Sequence, residues 1–259
     1  SYSSMAEIVV PAAVSYAGKT YRVTAIAAEA FYFNSKTTSI TLPEGLETIG
    51  NAAFFFASGL TSLNLPDSIR SIGAMALNGV SKAPLTIPAS VEFIGDSAFS
   101  GSGVVDGDLP EGLTYLGDKA FSNCTGLTSI TLPSTVETYG PNIFYGCSNV
   151  TYVELPQNME KIPNGLLWSC TSLKRICQGN RKRCLLQLRH REAEPAGRPA
   201  EDRAVGLLLH EAQGNHHSGF RRDHWIPCLY LLRRRGELRG RLRREGDRSG
   251  RLLLLEQQV

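Results

Sequence analysis

An α/β solenoid built from coils of 22–23 residues, with a parallel β-sheet face and short helical or 3₁₀ corners, is the architecture the sequence predicts over residues 26–176. Two markers predict it. An apolar-Pro pair recurs at Leu42-Pro43, Leu65-Pro66, Ile87-Pro88, Leu109-Pro110, Leu132-Pro133 and Leu155-Pro156, at steps of 23, 22, 22, 23 and 23 residues. In step with it run Ile49-Gly50…Ala53-Phe54, Ile72-Gly73…Ala76-Leu77, Ile94-Gly95…Ala98-Phe99, Leu116-Gly117…Ala120-Phe121 and Tyr139-Gly140…Ile143-Phe144, with Ile26…Ala30-Phe31 before them and Ile162-Pro163…Leu166-Leu167 after. Markers that hold phase this long define units that bury their apolar faces against one another.

Within a coil the elements follow from residue type. In the stretch from Leu127 to Pro133, Ile130 and Leu132 fall on one face and Thr131 on the other, the alternation of a short strand. Pro133 stops the ladder because it has no N–H to donate. The glycine of each apolar-Gly pair suits a turn that needs permissive backbone angles. The Ala-Phe step that follows reads as a short helical or 3₁₀ corner. Stacked coils then give a parallel sheet with a rise of roughly 4.8 Å per coil.

The stretch from Cys124 to Gly140 resembles the repeat of the BspA-like leucine-rich-repeat family, also called the Treponema pallidum type. Residues from Glu7 to Ile26 resemble that family's lead-in hairpin, which places an N-terminal cap over residues 1–25. The resemblance covers residues 7–176, with two departures: Gly107 stands where a large apolar strand residue is usual, and Met75-Ala76-Leu77 lacks the aromatic. It implies a non-enzymatic bacterial protein, secreted or at the cell surface, used for adhesion or for binding a protein or glycan, host extracellular matrix included. It carries over no binding residue and no cofactor. A structural spacer or display scaffold of a larger surface protein is the alternative.

Composition breaks after the repeat. Residues 1–176 carry 9 Lys and Arg against 14 Asp and Glu and all sixteen Thr, whereas residues 177–259 carry 18 against 10 and all five His. Where the next small-Leu-Pro is due, the chain reads Cys177-Gln178-Gly179. Permitted codons for Trp225 to Arg233, read one base later, give Gly-Phe-Leu-Ala-Phe-Thr-Ser-Cys, the marker of the repeat. Three other segments behave alike in the same offset, starting at Glu194, Gly206 and Gly250. Residues 177–259 therefore read as a basic Arg/Leu-rich tail translated out of frame, expected to be disordered or poorly packed and to leave the last coil without a cap. No run of eighteen apolar residues occurs, and no charged-then-apolar leader follows Ser1.

The expected binding surface is the solvent-facing strand row, one residue per coil: Thr41, Asn64, Thr86, Asp108, Thr131 and Glu154. Their hydroxyl and acidic character suits polar contacts. Cys124, Cys147 and Cys170 recur every 23 residues in a slot filled earlier by Ala57, Val80 and Ser102, so they read as stacked core thiols rather than metal ligands. Phe31, Phe54, Phe99, Phe121 and Phe144 read as core in the same way. His210, His216, His217, His224 and Cys228 have no zinc-module spacing. The run from Arg233 to Arg244 would attract nucleic acid by charge alone and lacks the aromatics of a specific site, leaving nucleic-acid binding through the tail a remote alternative. Asn123-Cys124-Thr125 and Asn149-Val150-Thr151 match the glycosylation pattern but sit in repeat turns. Residues 1–176 hold no histidine and no catalytic constellation.

Overall fold

The computed structural model describes residues 5–179 and the backbone of 184–187. The histidine group, the Arg-rich run and the rest of the tail lie outside the described residues. The strands are β1 (Glu7–Val9), β2 (Ala13–Tyr16), β3 (Lys19–Arg22), β4 (Ala25–Ile26), β5 (Ser39–Thr41), β6 (Thr48–Ile49), β7 (Ser62–Asn64), β8 (Ser71–Ile72), β9 (Phe93–Ile94), β10 (Tyr115–Leu116), β11 (Ser129–Thr131), β12 (Thr138–Tyr139), β13 (Tyr152–Leu155), β14 (Arg175–Gln178) and β15 (Cys184–Gln187). β2 and β3 form an antiparallel hairpin exposed along its whole length.

Each coil has three sides. The strand before the apolar-Pro pair forms the first, which runs β1-β5-β7 and then β11-β13-β14, all parallel. The apolar-Gly strands form the second, a continuous parallel sheet β4-β6-β8-β9-β10-β12. The Ala-Phe corner forms the third. Between them one apolar core runs the length of the stack, with Ile40, Leu46, Ile49, Phe54 and Leu60 of a single coil all almost fully buried.

The corner contains no helix among the described residues. Three of its N–H groups bond three residues back, as in a 3₁₀ turn: Ala53 to Gly50, Phe55 to Ala52 and Ala57 to Phe54. The alternate N–H groups of Ala52, Phe54 and Phe56 instead donate to the carbonyls of Ala74, Ala76 and Asn78 in the next coil, each at 2.8 Å. A helix would direct every donor inward. Left-handed residues, Ala52 (φ 52°) and Phe56 (φ 49°), aim every second donor at the neighbour, and the corner becomes a third ladder between coils.

The glycine of the apolar-Gly pair has a different cause from the one expected. Its φ is not left-handed in any coil. It is small because the preceding coil crosses it: a Cβ on Gly95 would lie 2.6 Å from the Ala74 nitrogen and 2.8 Å from the Gly73 carbonyl carbon, and Gly50, Gly73, Gly117 and Gly140 meet the same obstruction. Ala27 holds this position in the first coil. In the last coil Pro163 adds a Cβ and lacks the N–H by which Gly140 bonds Leu116, and the second sheet ends at β12.

The first sheet continues past residue 176, where the repeat pattern breaks. Ile176 pairs with Val153 and Cys177 with Glu154, and the Gly179 N–H reaches the Leu155 carbonyl. β15 then pairs antiparallel on the outer edge of β14, so that edge carries a strand where the sequence left it bare.

Candidate binding surfaces

The expected row follows the strand register, in two panels. Thr41 pairs with Asn64 on the first panel, and Asp108, Thr131 and Glu154 are consecutive partners on the second. Thr41, Asn64, Thr86 and Asp108 are exposed, while Thr131 and Glu154 are half-buried. Thr86 lies between the panels, and two residues explain the break. Pro84 stands where Ser62 donates its N–H to Thr38, and proline has none to give. The next coil, one residue short, meets Leu85 with Val104 but meets Thr131 with Asp108. Gly107 is also obligatory there, because a Cβ would run into the Ser129 carbonyl.

Period-2 alternation implies a second outward row that the sequence reading left out. Ser39 and Ser62 pair on the first panel, and Ser129, Tyr152 and Arg175 on the second. The two rows touch: the Tyr152 hydroxyl donates to Glu154 Oε2 at 2.8 Å. The second panel thus combines hydroxyl, phenol, carboxylate and guanidinium groups on one strand face.

The cysteine ladder is core, as expected. Cys124, Cys147 and Cys170 are fully buried, and their thiols donate to the carbonyls of Phe99, Phe121 and Phe144 at 3.0, 3.1 and 3.3 Å. Burial pushes the Cys124 thiol up to about 11 and that of Cys170 up to about 12, and raises Cys147 further with help from both neighbouring thiols. The unfolded chain releases these protons near the ordinary thiol value of 9.0, whereas the fold retains them to higher pH. Stability carried by the ladder is therefore complete below pH 9 and declines as pH rises toward the folded values. Urea midpoints should fall between pH 7 and pH 10.5. A variant combining Cys124→Ala, Cys147→Ala and Cys170→Ala should show a shallower fall, and an equal one would remove the thiols as its cause. The native thiols should also resist alkylation at pH 8.

A polar ladder edges the second sheet. Asn51 Oδ1 accepts from the Ala74 N–H and Asp96 Oδ1 from the Asp118 N–H, both at 2.9 Å. Asp118 Oδ1 would be next in line, but the corresponding residue is Pro141, and this buried oxygen has no partner.

Exposed aromatics on the corner escaped the sequence reading, which followed only the buried phenylalanines. Phe31 stacks on Phe54, and Phe99, Phe121 and Phe144 stack in turn at 5.1 and 5.5 Å, all within the core. One residue further on, Tyr32, Phe55, Tyr145 and Trp168 point outward. The unbroken run Phe54-Phe55-Phe56 was the available signal, since three successive corner residues cannot all face inward.

Stacked coils with register-locked outward rows define a class: a leucine-rich-repeat solenoid, a scaffold that presents extended surface. The chain belongs to the BspA type leucine rich repeat family, whose model matches in six copies over residues 24–106 and 94–181. Among solved structures it is similar to a leucine-rich repeat protein from Bacteroides ovatus, at 22% identity and a TM-score of 0.44 over 67% of this chain and 63% of that one. It is similar also to the T. pallidum leucine rich repeat protein, at 24% identity and a TM-score of 0.46 over 68% and 69%. A leucine rich cell surface protein from Faecalibacterium prausnitzii matches at 15% identity and a TM-score of 0.30 over 69% and 89%. The chain thus spans less than two thirds of the length of the B. ovatus protein. No curated protein matches it. Among the described residues no helix is long and apolar enough to cross a membrane.

Proposed function

We propose that the chain is a non-enzymatic binding module, secreted or displayed at a bacterial surface, that holds a protein or glycan ligand on its first sheet. The observation that carries this reading is the adjacency of Asp108, Thr131 and Glu154 on consecutive coils of one parallel face. Neighbouring strands lie roughly 4.8 Å apart, so these groups form a polar stripe that no core contact requires. Thr41 and Asn64 form a second, shorter stripe on the N-terminal panel, with Thr86 between the two.

Thr86→Arg and Thr131→Arg test it. Binding to immobilised extracellular-matrix proteins or to a glycan array should weaken at least tenfold in either variant, with the melting temperature unchanged because both side chains point away from the core. Retention of full binding by both variants would sink the sheet-face reading and favour a spacer.

A further inference from the structure

The second sheet has an outward row of its own. Ala25, Thr48, Ser71, Phe93, Tyr115 and Thr138 follow one another in strict register, and all are exposed or half-buried. Five strand spacings separate the ends of the row, roughly 24 Å at about 4.8 Å each. Hydroxyl side chains flank a single aromatic pair in it. Phe93, 38% exposed, stacks on Tyr115 with ring centroids 4.6 Å apart and planes within 9°. The strands do not require aromatics here, since Thr48 and Thr138 hold the same position in other coils.

Charge selects the occupant. The segments that build this side are residues 44–51, 67–74, 89–96, 111–119, 134–141 and 157–164. They hold nine of the fourteen acidic residues of residues 1–176 but three of the nine basic ones, so that five acidic and six basic residues are left for the rest. The negative charge of the repeat therefore belongs to this one side. All nine carboxylates are exposed except that of Asp118, which is half-buried. Two of the three cations are already paired within the face, Arg70 with Glu92 and Lys119 with Asp118. Like charges held at strand spacing repel, and a cationic partner relieves them. Nucleic acid and anionic glycans are turned away by the same field.

The aromatic pair sits inside that field. Asp96 Oδ1 accepts the Asp118 N–H at 2.9 Å, which fixes the carboxylate. Burial, and then the nearby charge of Asp96, raise the Tyr115 phenol above its ordinary value, so this carboxylate stands beside the rings. Beyond the pair the register neighbours are Ser71 next to Phe93 and Thr138 next to Tyr115. Neither side chain is long enough to span a six-membered ring, which leaves room for a planar group against the outer side of the pair. A guanidinium stacks on an aromatic and bonds a carboxylate at once, better than the compact, strongly hydrated ammonium of lysine. The hydroxyls of Thr48, Ser71 and Thr138 suit the main-chain amides between successive side chains.

We propose that the second sheet is a docking face, separate from the first, for an extended arginine-bearing segment of a protein partner. One guanidinium lies against the Phe93–Tyr115 pair and bonds Asp96, and further arginines meet Glu47 and Glu137 on either side. Fluorescence anisotropy of labelled octapeptides titrated with the full chain tests it, with glycine alternating with arginine, lysine or glutamate. The arginine peptide should bind at least about threefold more tightly than the lysine peptide, and the glutamate peptide should not bind. A Phe93→Thr, Tyr115→Thr double variant extends the hydroxyl row already present, and should bring the two cationic peptides to one weakened affinity. Asp96→Asn keeps the kind of acceptor that Asn51 supplies in its own coil, and should weaken the arginine peptide at least about threefold. Thr131→Arg, on the first sheet, should change neither affinity. The proposal is overturned if the full chain binds no peptide, or binds lysine as well as arginine. Undiminished arginine-peptide affinity in the double variant or in Asp96→Asn, or its loss in Thr131→Arg, would overturn it too. Calcium chloride that binds through Asp96 where the arginine peptide does not would assign the carboxylates to a metal ion instead.

Discussion

Gly95→Ala should destabilise the chain by about 3 kcal/mol or more, the upper end of what overpacking by one carbon costs. The added Cβ would run into one stretch of backbone, the Gly73 carbonyl carbon, the Ala74 nitrogen and the Ala74 Cα at 3.0 Å, and none of these can rotate away. Relief requires the two coils to separate, which lengthens the ladder bond from the Gly95 N–H to the Ile72 carbonyl, 2.8 Å in the fold. Gly112→Ala is the control. There a Cβ would find its nearest neighbours at 3.9 and 4.0 Å, and the expected change is within about 0.5 kcal/mol. Chemical denaturation of both variants checks this, and similar midpoints would mean that the coils approach less closely than described.

Phe121→Ala should cost about 3–5 kcal/mol, because it empties the middle of a three-ring stack in a fully buried slot. The cavity would be enclosed by Phe99 and Phe144, whose positions are fixed by their own coils' ladders, so little collapse can relieve it. Phe121→Leu should cost less than about 2 kcal/mol. The reason is in the chain itself: Leu77 fills the same slot two coils earlier and is fully buried. Equal losses for the two variants in thermal or urea unfolding would argue that stacking rather than volume holds the corner.

The two effects differ in how visible they are in the sequence. A buried Phe or Leu announces itself by recurring in one slot, and so do Cys124, Cys147 and Cys170, whose repeat interval alone places them on top of one another in the core. The outward row of Thr41, Asn64, Thr131 and Glu154 is legible for the same reason, since alternation within a short strand assigns faces. Other features arise only between coils. Gly95 looks like a turn glycine in one dimension, and its real constraint is the backbone of the coil before it. The corner reads as helical or 3₁₀ from Ala-Phe, and while some of its donors bond three residues back, the alternate ones serve the next coil. The split of the first sheet at Pro84, and the lone oxygen of Asp118 facing Pro141, depend on which residue of a neighbouring coil lies opposite.

The sequence by itself determined the repeat length, the core residues, one outward strand row and the family, because apolar periodicity depends on residue type and spacing along the chain alone. Tertiary structure alone decided why glycine follows the apolar residue from Gly50 to Gly140, where each sheet ends, and that Tyr32, Phe33, Phe55 and Phe56 gather into one partly exposed cluster. Those outcomes depend on the distance and register between coils, roughly 4.8 Å apart in space and 22–23 residues apart in the chain.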